Sequence, residues 1–203
     1  MNKIKSLNVS IAGLGTVGSH VIDSLDKNYQ LIIQKTKTEF KIMAISAKNK
    51  SKKRIFDIDK YQWHDDPFEL VNNSKCNIFI ELIGQEKGLS FDLVKKALEN
   101  KIHVITANKA MLSKYGNVLF KLAEKNNVLL LFEAAIAGGI PIVKVIKQSI
   151  FLNKINKVSG ILNGTTNFIL SEMENKKLNF KEVLKKAKQN GYAEINPTNY
   201  MNV

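Results

Sequence analysis

The sequence holds one cysteine, one arginine and no apolar run of the eighteen or so residues that a membrane-crossing helix needs. The single thiol, Cys76, cannot close an internal disulfide, which fits a reducing compartment. It opens the apolar run Asn77–Ile80 and no histidine lies near it in sequence, so a cysteine nucleophile is not expected. The stretch from Met1 to Val9 passes directly into a strand-like run without a secretory-type hydrophobic segment, and a cytoplasmic location is expected. Histidine is scarce too: His20, His64 and His103 are far apart, and no pair has the spacing of helical metal ligands. Internal repeats and low-complexity linkers are absent.

Lysine is what the chain has in excess. Thirty-one basic residues against 18 acidic ones give a formal net charge of +13. Many of the lysines, such as Lys95, Lys96, Lys121, Lys125, Lys181, Lys185 and Lys186, fall on the faces of expected helices. The one dense cluster, Lys48 to Arg54, follows a strand and has no interleaved aromatics. General polyelectrolyte attraction follows from this pattern, but base-specific nucleic-acid recognition does not.

Apolar runs alternate with amphipathic stretches in the order of βαβ units. Strands are expected at Leu7–Ala12, Phe40–Ser46, Asn77–Ile83, Ile102–Thr106 and Val128–Phe132. Helices are expected at Val17–Leu25, Asp66–Asn72 (through Pro67), Phe91–Asn100 (capped by Ser90) and Met111–Lys125. The nearly all-apolar Asn77–Ile83 reads as a strand covered on both faces. Beyond Phe132 the character changes. A small-residue run, Ala134–Pro141, precedes an expected helix at Ile142–Phe151 and a strand at Val158–Leu162. A polar turn at Asn163–Thr166 and helices at Phe168–Asn175 and Phe180–Asn190 follow, with Gly191 as C-terminal cap.

Gly13-Leu14-Gly15-Thr16-Val17-Gly18 is a G-x-G-x-x-G between strand and helix, the context in which that spacing points to a dinucleotide. Gly13 would allow the tight turn, Gly15 the close approach of a pyrophosphate, and Gly18 the packing of helix on sheet. The fold class expected is α/β, a Rossmann-type doubly wound parallel sheet. No acid ends the second strand; Ser46 and Lys48 stand there instead, which suits a 2′-phosphate better than a free hydroxyl. NADP is therefore favoured over NAD.

Glu81–Gly84, Thr106–Ala110, Glu133–Pro141, Asn163–Asn167 and Gly191–Glu194, in this order and with the glycine loop, resemble the homoserine dehydrogenases over almost the whole chain. The resemblance implies NAD(P)H-dependent interconversion of aspartate semialdehyde and homoserine, in a homo-oligomeric enzyme of threonine, methionine and isoleucine biosynthesis. It divides the chain into a nucleotide-binding domain, residues 1–132, and the opening part of an α+β catalytic and dimerisation domain, residues 133–203. Thr106, Lys109 and Gly191 would touch the cofactor, with Lys109 also assisting catalysis by stabilising a developing alkoxide. Thr165, Tyr192 and Glu194 would line the substrate pocket, Glu194 pairing with the substrate ammonium. A sodium ion would sit on Glu133 and the backbone carbonyls of Ile136, Gly138 and Ile140, oxygen ligands that suit a hard cation. The same glycines would equally serve a tight joint between domains.

The family continues past Gly-Tyr-Ala-Glu with Asp-Pro, a second Asp and a Gly-x-Asp-x-x-x-Lys stretch; here Asn196-Pro197 and Tyr200 stand at the first of these positions, and the sequence ends at Val203. A chain that lacks the family's donor lysine is expected to hold a cofactor better than it turns one over. The rival readings are a catalytically inactive NADP-binding or dimerisation module, an aspartate-semialdehyde dehydrogenase, for which Cys76 is badly placed, and a basic nucleic-acid binder.

Overall fold

The computed structural model describes residues 4–136, 138–150, 152–160 and 164–190. Six strands form one sheet, β1 (Lys5–Ala12), β2 (Thr38–Ser46), β3 (Gln62–Trp63), β4 (Ile78–Glu81), β5 (His103–Thr106) and β6 (Leu130–Leu131). Their order is β3-β2-β1-β4-β5-β6, every neighbouring pair parallel. The order reverses direction between β1 and β4, the switch point at which such sheets place ligands. The Rossmann-type arrangement expected from the alternating pattern is the one found.

Helices cover both faces: α1 (Thr16–Lys27), α2 (Tyr29–Thr36), α3 (Phe68–Asn72), α4 (Leu89–Glu99) and α5 (Lys109–Lys125). Side chains alternate across the sheet, so neighbours in sequence enter different cores. Phe79 and Val104 pack with Leu93, Leu98 and Leu119 on one face. Ile80 and Ile105 pack with Val9, Ile11, Ile22 and Ile45 on the other.

Several boundaries differ from expectation. Helix α4 starts at Leu89, capped by Gly88 at φ +71°, and Ser90 lies buried in its first turn rather than capping it. The Ser90 hydroxyl instead accepts a hydrogen bond from the Gln85 N–H at 3.2 Å. Pro67, with helical dihedrals, stands at the N-cap of α3, one place before the first turn. Helix α5 begins two residues early because the Asn108 side chain accepts from the Met111 N–H, capping it at 3.1 Å. The expected strand Val128–Phe132 pairs only at Leu130–Leu131. Helix α2 was not foreseen, and it buries none of its residues.

The chain divides into two compact units, Met1–Val143 and Lys144–Val203. At the end of the first, Glu133–Ile136 forms a helical turn, α6, within the small-residue run. The expected helix from Ile142 is only Ile142–Lys144, α7, followed by a wider turn over Val145–Ser149. Val158–Gly160 has no regular structure, and the rest of the strand expected there lies outside the described residues. In the second unit, Gly164–Thr166 opens helix α8 (Gly164–Lys176) instead of forming a turn. Helix α9 (Phe180–Gln189) follows, with a capping box between Asn179 and Glu182. Asn190 is its C-cap; Gly191, expected there, lies outside the described residues.

Candidate functional site

The turn after β1 is built by two glycines that tolerate no side chain. Gly13 has φ +95°, and a Cβ on it would lie 2.3 Å from the carbonyl carbon of Leu82. A Cβ on Gly18 would lie 1.9 Å from the Gly13 carbonyl oxygen, so this residue sets how closely α1 packs on the turn. The Gly13 N–H donates to the Ser46 carbonyl at 2.9 Å, tying the turn to the end of β2. Gly15 differs. An added Cβ there meets nothing within 4 Å, and Gly15 is the N-cap of α1 with no side chain bonding to it. Gly15 thus leaves open space at the N-terminus of α1, whose first N–H groups have no intrahelical acceptor, the setting in which a helix N-terminus receives an anion.

A cavity of about 420 Å³ lies against Gly15 and Thr16, and its other wall carries Lys52, Lys53 and Arg54. The residues named from sequence at the end of β2 sit elsewhere. Ser46 is 2% exposed with its carbonyl engaged by Gly13, Lys48 is exposed, and neither lines this cavity. Sequence reasoning missed Trp63 as well. The guanidinium of Arg54 lies 5.5 Å from its ring centroid and the Lys50 ammonium 6.0 Å, so the cationic loop does have an aromatic partner, contributed by β3.

Strand register places Ser46, Ala12, Glu81 and Thr106 in one row across the carboxyl edge of the four central strands. Glu81 is fully buried and accepts three hydrogen bonds: from the N–H groups of Ile83 (2.9 Å) and Gly84 (3.1 Å) and from the Thr106 hydroxyl (2.6 Å). The Thr106 oxygen in turn accepts from the Asn108 N–H at 3.0 Å, and the Asn108 amide donates to the Gln85 carbonyl at 2.6 Å. The loops after β4 and β5 are thus knitted together directly before Lys109, the exposed first residue of α5. Thr106 itself is 1% exposed, so its side chain supports this edge from below. Lys109 also borders an apolar cavity of about 300 Å³ shared with Leu112, Phe120, Phe132 and Ile136.

At the end of the first unit, one Glu133 carboxylate oxygen accepts from the Val143 N–H at 2.8 Å, and the Ile140 carbonyl accepts from Ile142 N–H at 2.8 Å. Gly138 has φ +59°, and Ile136 and Ile140 are exposed. No cluster of three histidine, cysteine or acidic side chains exists among the described residues. One carboxylate with carbonyl oxygens that keep a spare lone pair fits a hard cation and not a transition metal. In the second unit Thr165 lies in the first turn of α8; Gly191, Tyr192 and Glu194 lie outside the described residues.

Cys76 is 5% exposed, its thiol pushed up by burial, and it donates to the Ile78 carbonyl at 3.4 Å. A buried, protonated thiol is no nucleophile. The histidines are engaged separately, His20 with the Thr16 carbonyl, His64 with Glu69, and His103 with the Leu129 N–H.

Comparison with known proteins agrees with this geometry. Residues 13–133 match the family model for the homoserine dehydrogenase NAD binding domain, and residues 141–202 match that for homoserine dehydrogenase. The chain is 43% identical over 195 residues to a homoserine dehydrogenase of Neisseria gonorrhoeae, and 40% identical to one of Pseudomonas aeruginosa. In both cases 96% of this chain aligns with 44% of the relative, so it spans under half the length of these curated relatives. Among solved structures, a homoserine dehydrogenase from Thiobacillus denitrificans superposes with a TM-score of 0.85 at 38% identity, over 96% of this chain and 44% of that one. A hyperthermophilic archaeal homoserine dehydrogenase in complex with NADPH superposes with a TM-score of 0.80 at 25% identity, over 95% of this chain and 64% of that one. No helix among the described residues is long and apolar enough to cross a membrane.

Proposed function

The chain belongs to the homoserine dehydrogenase family, and from that premise we propose that it binds NADP(H) and serves an enzyme that interconverts aspartate semialdehyde and homoserine in threonine, methionine and isoleucine biosynthesis. The observation that carries this reading is the uncovered Gly15 turn facing a cavity walled by Lys52, Lys53 and Arg54. A backbone approach with no side chain, helix N–H groups and cations on the facing wall suit a phosphorylated dinucleotide. The archaeal relative binds NADPH.

In this reading residues 1–132 are the nucleotide-binding domain and 133–203 the opening of the catalytic domain. Gly13, Leu14, Gly15, Thr16, Val17 and Gly18 hold the pyrophosphate through backbone groups. Ser46 and Lys48, named from the sequence for this choice, do not line the cavity, and the cations Lys52 and Lys53 that do line it favour NADP over NAD. Thr106, Lys109 and Gly191 reach the nicotinamide end. The cofactor supplies hydride to the aldehyde carbon. Lys109, at the head of α5, places a cation where the substrate oxygen gains negative charge. It is held there by the Glu81–Thr106–Asn108 bonds that fix the two loops. Thr165, Tyr192 and Glu194 bind the amino-acid part of the substrate, Glu194 through the ammonium. Glu133 and the carbonyls of Ile136, Gly138 and Ile140 hold a sodium ion. A cytoplasmic, homo-oligomeric whole enzyme without specific nucleic-acid binding completes the proposal.

The test titrates the 203-residue chain with NADPH and NADH, followed by the emission of Trp63, the single tryptophan, with homoserine oxidation assayed on the same preparation. NADPH is expected to bind more tightly than NADH. Absence of binding to either, in folded protein, rejects the proposal. Binding without oxidation favours instead a module that holds NADP without turning it over.

A further inference from the structure

Arg54, the one arginine of the chain, spends its guanidinium on its own loop. One terminal nitrogen donates to the carbonyls of Lys50 at 3.0 Å and Lys52 at 2.8 Å, and the other donates to that of Asn49 at 2.6 Å. The ring of Trp63 packs against the guanidinium. Among the described residues its buried Nε–H has no hydrogen-bond partner. Reaching three carbonyls at once takes a planar fork of fixed donors, which a lysine ammonium does not offer.

The effect falls on the two residues just before it. Lys52 and Lys53 are exposed, line the cavity beside Gly15 and enter no ion pair among the described residues. Two unpaired ammonium groups on a braced loop, facing the N-terminus of a helix, are an electrostatic setting for a phosphate monoester. Ser46 and Lys48, the residues singled out by their place after β2, do not line that cavity.

Resting on the NADP reading above, we infer that Arg54 is a positioning residue for cofactor choice: clamped to Asn49, Lys50 and Lys52 and lying over the Trp63 ring, it holds Lys52 and Lys53 where they bind the 2′-phosphate of the adenine ribose. Discrimination between NADPH and NADH then resides in the Asn49–Arg54 loop.

Calorimetric titration of the 203-residue chain with NADPH, NADH, adenosine 2′,5′-bisphosphate and adenosine 5′-monophosphate tests this. The double variant K52Q/K53Q is expected to lose NADPH and bisphosphate affinity about 10- to 100-fold, the loss of one or two charge-assisted contacts. NADH and monophosphate affinities should stay unchanged, which also reports an intact fold. R54K keeps the charge but cannot hold three carbonyls, so it and W63L should lose most of the same preference. A neutral R54K overturns the positioning role. K52Q/K53Q that keeps the NADPH preference overturns the assignment of the phosphate to these lysines. Equal binding of NADPH and NADH by the parent chain overturns the NADP reading itself and this inference with it, a result distinct from the other two.

Discussion

A Cβ added to Gly15 meets no atom within 4 Å, while on Gly13 it strikes the backbone of Leu82 at 2.3 Å. The two glycines therefore answer to different demands, one from a ligand and one from the chain. Gly13→Ala places a methyl group on a backbone at φ +95° with no room for it, a double penalty on the order of 4 kcal/mol or more. Gly15 has φ −74° and ψ −158°, which any residue adopts, so Gly15→Ala should change stability by no more than about 1 kcal/mol, the gain through the unfolded chain being set against alanine's poorer fit at the N-cap. Gly15→Val should nevertheless weaken NADPH binding by at least about tenfold, since the side chain fills the space beside the α1 N–H groups. Urea unfolding and NADPH titration of the three variants separate the roles. A Gly15→Val protein that binds NADPH as the parent does would show that the dinucleotide lies elsewhere.

Between elements, the carboxyl edge depends on Glu81. This carboxylate joins the loop after β4 to the end of β5, and every group bonded to it is a donor. Glu81→Ala would strand two backbone N–H groups and a hydroxyl in a buried place, at about 1–3 kcal/mol each for those that water cannot reach. A total loss of about 3 kcal/mol or more is expected from urea unfolding, with Glu81→Gln losing less because the amide oxygen keeps two of the donors. A Glu81→Ala loss within about 0.5 kcal/mol, the range of an ordinary surface substitution, would refute this account. None of this network was visible in the sequence beyond the residues themselves, because Glu81 and Thr106 are 25 positions apart and meet only through parallel register. What the sequence showed well were elements buried on both sides or repeating their apolar positions, such as β1, β4 and α5. It did not show α2, an eight-residue helix that buries none of its residues. The two-residue β3 is too short to carry a pattern, and α4 began early because Gly88 took a backbone conformation with positive φ. The glycine turn was legible since its chemistry is local. The Arg54–Trp63 contact was not, for it joins a loop to the sheet's edge strand.

At the scale of the molecule, the two compact units are unequal in what they bury. The first carries two large clusters, one on each side of a six-stranded sheet, with Phe79, Ile11, Ile22, Leu93 and Leu98 fully buried. Among the described residues of the second, α8 and α9 bury Ile169, Val183 and Ala187, with Phe168, Met173, Leu178, Phe180 and Leu184 partly buried against them, while Leu152, Val158 and Leu170 are exposed at 85%, 57% and 61%. Helices of 13 and 10 residues are marginal by themselves and draw their stability from packing. The Asn179–Glu182 capping box adds only about 1 kcal/mol to α9. Native-state hydrogen exchange should therefore find two levels of protection in the 203-residue chain. Amides of β1 and β4 should exchange only through global unfolding, at about 5 kcal/mol or more. Those of α8 and α9 should open locally at roughly 1–3 kcal/mol, hundreds of times more often. NADPH, bound at the glycine turn, should raise protection in β1, β4 and α1 by mass action. Equal protection of α8 and β4 in the free chain would mean that the second unit unfolds with the sheet as one cooperative body, held by more than the small cluster around Ile169, Val183 and Ala187.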